Sequence, residues 1–379
     1  MNSNEINRIL TERYNKNEWK IFINNLFPST IFFEKPEILK DINADFVYNV
    51  SKTGFINITE TGIDRNIGIF EVELGEGVIL EKNRVGLRNL LRKYWKDLDG
   101  AFIVYFRNSS KTWRFTYVSE LTGIDEEGNY KDIKTDPKRY TYVFGESESC
   151  KTATERFLTL FNKNKNITLD DIKDAFSVEK LSKSFFDNYK KHYDLFCNYL
   201  TAKPGIYKSI FKGDDKEVRN FVKLLLGRIT FLYFIQKKGW LGVPVNANWG
   251  EGNISFLSNL FKKYNYKGLF YGNVLTKLFF DSLNTPREDD IIELIEGEKI
   301  KIHFLNGGLF EEHEPKYRNI VFDEILFKNL FDFFDMYNFT IYEDDPNDHT
   351  VAVDPEMLGH IFENLLEDNK DKGAYYTPK

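Results

Sequence analysis

The chain has 379 residues and a mass of 44.7 kDa, more than one small module, and predicts two to three domains at roughly 100 to 200 residues each. Hydrophobic residues at 42% and charged residues at 29% exclude a disordered chain and supply a core that needs no covalent staples. The net charge of −6 is not that of a general nucleic-acid binder, so any basic surface has to be local.

The two cysteines, Cys150 and Cys197, form no CxxC pair, which argues against a disulfide framework and favours a reducing, cytoplasmic setting. No apolar run approaches the roughly 18 to 20 residues of a membrane helix, and the opening segment is polar rather than signal-like. Charge is segregated along the chain. Residues 84–114 hold eight bases (Arg84, Arg88, Arg92, Lys93, Lys96, Arg107, Lys111, Arg114) against Asp97 and Asp99, whereas residues 343–372 hold ten acids against Lys370 and Lys372.

In chain order, Ile6, Ile9, Leu10, Tyr14, Trp19, Phe22, Ile23 and Leu26 recur at near-helical spacing and predict one or two helices ending before Pro28. Short β-branched and aromatic runs follow at 46–50, 54–59 and 67–74, separated by turn signals at 52–54 and 61–62, as in a meander. Asn83 can cap a helix with an apolar face of Val85, Leu87, Leu90, Leu91, Tyr94 and Trp95. Strands are predicted at 101–106 and 113–119, joined by a turn at Asn108-Ser109-Ser110. The order β, β, β, α, β, β defines an α/β domain with a mixed sheet flanked by helices.

From about Cys150 the pattern becomes helical, with Val178 to Leu200 at three- and four-residue intervals and 218–236 nearly apolar all round, as in a buried helix. A loop at 239–252 interrupts this before helical spacing resumes at 254–264, 269–280, 322–336 and 355–368. A mainly α-helical domain is therefore expected after the α/β domain, with little β structure. The boundaries drawn from these shifts are 1–148, 149–350 and 351–379. Aromatic residues make up 16% of the chain, mostly at core spacing, so they read as packing rather than stacking platforms.

Two places can carry chemistry. Alternation along 67–74 projects Glu71 and Glu73 from one face and Phe70, Val72 and Leu74 from the other. Two hard oxygen donors on one strand suit Mg²⁺ and the activation of a water; the plain alternative is an exposed edge strand with solvated glutamates. Arg84, Arg88 and Arg92, at four-residue steps, could contact phosphate or form a solvated face. The second place is the C-terminal Gly373-Ala374-Tyr375-Tyr376-Thr377-Pro378, as bare residues a hinge, two aromatics and a turn. The five histidines show no metal-binding spacing, and Leu305 to Phe310 (LNGGLF) lacks the Lys-Ser/Thr of a phosphate loop and reads as a tight turn.

The order of elements around Glu71-Val72-Glu73 resembles the core of PD-(D/E)xK nucleases, in which an Asp on the second strand and an E-x-K on the third bind Mg²⁺. Glu73 stands where that family has its lysine, a position at which some members carry glutamate. For the Asp, Asp64 is the nearest upstream acid, although seven extended residues span about 23 Å; Glu60 and Asp45 are rivals.

The run from Asp354 to Glu363 followed by Gly-x-Tyr-Tyr-Thr-Pro resembles the opening of the methyltransferase domain of type IIG restriction-modification enzymes, and Phe70-Glu71-Val72, 83–88, 238–243 and 305–311 extend the resemblance along the chain.

The resemblance implies a Mg²⁺-dependent endonuclease acting on foreign double-stranded DNA, with Asp64, Glu71 and Glu73 as catalytic metal ligands and Arg84, Arg88 and Arg92 on DNA. It further implies that Tyr375, Tyr376, Thr377 and Pro378 are the first S-adenosylmethionine contacts of an N6-adenine methyltransferase. The glycine-rich loop and the motif that grips the flipped adenine would lie beyond Lys379, so the chain reads as a piece of a longer bifunctional enzyme. Cutting two strands with one site per chain implies self-association or two successive cuts. A rival reading makes the chain a non-catalytic scaffold that positions the methyltransferase on DNA; a third, an adenosylmethionine-binding protein in its own right, needs residues the chain lacks.

Overall fold

A computed structural model describes residues 1–40, 47–60, 62–76, 94, 98–119, 122–124, 130–132, 138–146, 148–264, 268–305, 307–341, 348–357 and 359. They fall into two compact units. The first comprises Met1–Leu181, Met336–Asn338 and Asp344–Ala352; the second comprises Ser182–Asp335, Phe339–Glu343 and Val353–Lys379.

The first unit opens with α1 (Ser3–Thr11) and α2 (Lys16–Leu26). Asn2 and Glu5 form a reciprocal capping box at the start of α1, and Asn15 accepts from the Asn17 and Glu18 N–H groups at the start of α2. These caps satisfy donors that a helix start otherwise leaves unpaired. Strands β1 (Thr30–Ile38), β2 (Val47–Glu60), β3 (Ile63–Leu74), β4 (Gly100–Phe106) and β5 (Thr112–Ser119) follow. After a small hairpin of β6 (Thr122–Ile124) and β7 (Tyr130–Asp132) comes β8 (Arg139–Gly145).

The main sheet has the order β1-β2-β3-β4-β5-β8, closed by the short strand Asp348–Thr350. Its pairs are antiparallel except β3 with β4 and β8 with Asp348–Thr350, which are parallel. The mixed sheet with helices agrees with the α/β expectation, and β4 and β5 match the strands read at 101–106 and 113–119.

One local expectation changes. The turn expected at 52–54 is a register shift inside one 14-residue strand: a bulge adds a residue to β2 without ending its pairing with β3. The chain reverses instead at Gly62, whose φ of +82° suits glycine. The helix expected after Asn83, with Arg84, Arg88 and Arg92, lies outside the described residues.

Both faces of the sheet are covered. Phe70, Val72, Leu74, Ala101, Ile103 and Tyr105 share one core with Leu39, Val50, Leu98 and Val118. On the opposite face α2 brings Trp19 against Phe115, with ring centroids 4.6 Å apart. Helices α3 (Lys151–Lys163) and α4 (Leu169–Phe176) add Phe157 and Phe176 to the same aromatic cluster. The unbroken burial of β4 follows from this two-sided cover, which removes the need for polar alternation.

Helix α5 (Val178–Thr201) opens in the last residues of the first unit and continues into the second. The second unit continues with α6 (Pro204–Ser209), α7 (Asp215–Lys237), β9 (Val243–Pro244) and α8 (Phe256–Tyr264). Two π-helical segments, Phe270–Leu275 and Lys277–Leu283, precede β10 (Ile291–Ile295), β11 (Glu298–Lys301) and α9 (Glu324–Phe334). Its mainly helical character is as expected. Phe185, Tyr189, Tyr233, Phe334 and Phe339 form a contiguous ring cluster, so the aromatic residues here serve packing. In the loop after α7, Gly239 has φ +69°, and a Cβ there would stand 2.2 Å from the Gly250 carbonyl oxygen, which accounts for glycine in Lys238-Gly239-Trp240. Neither cysteine is in a disulfide.

Candidate active site around Glu71

Glu71 lies on β3, the third of seven strands, between Ser51 of β2 and Val104 of β4. It is only 4% exposed, which removes the alternative of a solvated edge-strand glutamate. Glu73 shares its face, opposite Asn49 and Phe106, and its Oε1 accepts from the Asn108 side-chain amide at 2.7 Å. Phe70, Val72 and Leu74 fill the core on the other side, as alternation predicts.

A carboxylate this deeply buried has to be compensated. Lys16, the first residue of α2, places Nζ 2.7 Å from Glu71 Oε2. A cation at the start of a helix opposes the helix dipole; Glu71 supplies the local reason for it. Glu71 Oε1 and the hydroxyl of Tyr14 are both buried and neither completes a hydrogen bond of good geometry, although Tyr14 lies close enough to Glu71 for the two to interact. Burial, and then the negative charge of Glu71, hold the Tyr14 hydroxyl well above the ordinary tyrosine value, so Tyr14 is a neutral donor beside the carboxylate. Tyr14 is fixed by ring contacts with Phe106 at 4.5 Å and Trp113 at 5.5 Å between centroids.

Asp64 is not brought to this pair. It sits near the start of the same uninterrupted strand, seven residues and roughly 23 Å from Glu71, and accepts from the Thr59 hydroxyl at 2.6 Å. Glu60 is engaged elsewhere, accepting from the Leu169 N–H at the start of α4. Asp45 lies outside the described residues, as do Arg84, Arg88, Arg92, Tyr375, Tyr376, Thr377 and Pro378. Among the described residues no group of three or more His, Cys, Asp or Glu side chains gathers to hold a metal.

The donors that do meet at β3 nonetheless fit a hard divalent cation. Mg²⁺ takes one or two carboxylates and completes its shell with water and phosphate oxygens. Glu71 and Glu73 provide two on one face, and Glu71 Oε1 is a buried acceptor that completes no well-formed hydrogen bond. Lys16 and Tyr14 are the members of the site that sequence pattern alone does not reveal. The one available signal for Lys16 is its unfavourable charge at a helix start.

The class defined by these features is a mixed α/β domain with a carboxylate pair on an inner strand, followed by a mainly helical unit. No family model matches the chain. A protein of Methanocaldococcus jannaschii, provisionally named a type II restriction enzyme and methyltransferase, is 27% identical to it over 217 residues, covering 55% of this chain and 17% of that protein. The chain thus spans well under a quarter of the length of the curated relative it matches. Among the described residues no helix is long and apolar enough to cross a membrane.

Proposed function

We propose that the chain is the nuclease-bearing part of a type IIG restriction-modification enzyme, and that its first unit hydrolyses phosphodiester bonds of double-stranded DNA with Mg²⁺. The observation that carries this reading is the buried Glu71 carboxylate, one oxygen held by Lys16 and the other beside the Tyr14 hydroxyl without a well-formed hydrogen bond. The name of the relative supports the restriction-modification role and DNA as partner.

In this reading Glu71 and Glu73 hold the cation. Mg²⁺ bound there would make a water nucleophilic and neutralise charge on the phosphate. Lys16 fixes the Glu71 carboxylate through Oε2 and adds a positive charge beside it, in place of the lysine that Glu73 displaces from the motif. Tyr14, kept neutral, offers its proton as a hydrogen bond and does not give it up near neutral pH. Phe106 and Trp113 hold the Tyr14 ring in place for that role. Arg84, Arg88 and Arg92 remain the proposed phosphate contacts, and Tyr375 to Pro378 the start of an S-adenosylmethionine site completed in a longer chain. Self-association would serve cleavage of both strands.

Incubation of the chain with duplex DNA and Mg²⁺ tests this proposal: Glu71→Ala is expected to abolish cleavage and to spare DNA binding. Normal cutting by Glu71→Ala would refute it. A scaffold without catalysis is the second reading, favoured by the lack of a third carboxylate among the described residues; it predicts DNA binding with no cleavage by any variant.

A further inference from the structure

The second unit buries a cation that the nuclease reading does not use. Arg228, in the middle of α7, is 5% exposed. Its Nε and one Nη2 N–H donate to the carbonyls of Leu309 and Glu311, each at 2.7 Å, and its guanidinium lies over Phe279 and Phe280 at 5.6 and 5.1 Å from the ring centroids. These bonds explain part of the Leu305-Asn306-Gly307-Gly308-Leu309-Phe310-Glu311 motif: the turn presents carbonyls to a buried guanidinium. A guanidinium has five N–H donors, so three have no acceptor among the described residues, and no carboxylate there forms an ion pair with it. Burial lowers its pKa to about 10, so it stays charged at neutral pH.

Beside Arg228 lies a cavity of about 210 Å³. Its walls include Phe221, Leu224 and Phe280, with Tyr271 beside Arg228. Tyr271 is 1% exposed. Burial raises its pKa, which leaves the hydroxyl a donor. Tyr271 and Phe280 both come from the π-helical segments, a widened geometry common at binding sites. The acids that also line the cavity are largely committed: Glu217 accepts from Lys316 at 3.0 Å and Tyr317 at 2.7 Å, and Glu312 accepts from Arg318 at 2.8 Å. Glu312 is also near enough to act on Arg228 through its charge, but among the described residues no carboxylate makes an ion pair with that guanidinium.

We infer that this cavity binds a small organic monocarboxylate, its carboxylate held by Arg228 and the Tyr271 hydroxyl and its apolar body packed on Phe221 and Phe280. A planar carboxylate matches the guanidinium fork. Inorganic phosphate fits less well, because its second charge is not matched by the one guanidinium and meets Glu217, Glu312 and Glu314 at the border, and because it has no apolar body for Phe221 and Phe280. An apolar cavity of about 150 Å³ accepts benzene, so this one admits a benzoate-sized molecule. The inference is independent of the chemistry at Glu71.

Calorimetric titration of the 379-residue chain with sodium benzoate, and separately with inorganic phosphate, tests it. Saturable benzoate binding is expected, with phosphate weaker. Tyr271→Phe, which removes one hydroxyl and keeps the ring, should weaken benzoate about tenfold, the loss of one hydrogen bond to a charged group. Arg228→Lys should abolish binding; if it fails to fold, Tyr271→Phe carries the test. No saturable benzoate binding by the folded chain, unchanged affinity in Tyr271→Phe, or preference for phosphate would each overturn the inference.

Discussion

Among the buried charges of the two units, Glu71 in the first and Arg228 in the second are met in different ways. Glu71 sits on an inner strand and is met by a full opposite charge from Lys16, whose side chain is 45% exposed. Arg228 sits inside a helix and is met by two carbonyl dipoles and two ring faces, with no carboxylate in ion-pair contact among the described residues. A flexible, half-exposed lysine can leave its partner at modest cost, whereas main-chain carbonyls in a packed turn cannot. The first arrangement suits a site where charge has to be rearranged during a reaction. The second suits a fixed cation that holds a turn and borders a cavity.

The largest stability effect should come from removing the fixed cation. Arg228→Met leaves the Leu309 and Glu311 carbonyls without donors and should cost about 3 kcal/mol, read as a lower midpoint in urea; a loss below about 1 kcal/mol would mean that the turn is held by other contacts. Lys16→Ala should cost less, about 2 kcal/mol, since the lysine is half exposed although its loss leaves the buried Glu71 charge uncompensated, while lowering DNA cleavage far more than stability. Adding Glu71→Gln to Lys16→Ala should recover most of that loss, since the buried charge disappears with its partner. If the double variant is as unstable as the sum of the two single variants, the pair is not coupled.

The smallest effect concerns pH. Glu217, through its hydrogen bond from Tyr317 and its ion pair with Lys316, and Glu312, through Arg318, titrate below the ordinary glutamate value of 4.5. Groups with depressed pKa stabilise the fold fully above their unfolded value, and that contribution is lost as pH falls through the folded value. The second unit should therefore melt at a constant temperature from neutrality down to about pH 5 and progressively lower below 4.5. Tyr317→Phe should reduce the part of that slope due to Glu217.

Most of this architecture is legible in the sequence where period and burial agree. The two N-terminal helices, the alternation of β3 and the buried α7 follow from spacing alone. Strand β1 escapes because Glu34, Lys35, Pro36 and Glu37 interrupt its pattern, which an edge strand tolerates. The Lys52-Thr53-Gly54 signal is read as a turn because a bulge uses the same residues. At the candidate site the carboxylate pair is visible as i and i+2 on a strand. Its companions are not: Lys16 and Tyr14 lie more than fifty residues upstream, and only the tertiary fold brings them together. Arg228 is visible as a lone charge in an apolar run, but its acceptors lie some eighty residues downstream, beyond any local pattern.

The central claim, that Glu71 anchors a divalent-cation site, is tested most directly by titrating Mn²⁺ into the chain and into its Glu71→Gln variant, with calorimetric detection. Saturable millimolar binding by the native chain that Glu71→Gln abolishes, both proteins melting alike, is the predicted result. Equal binding by the two proteins, or no saturable binding by the native chain, would contradict the account.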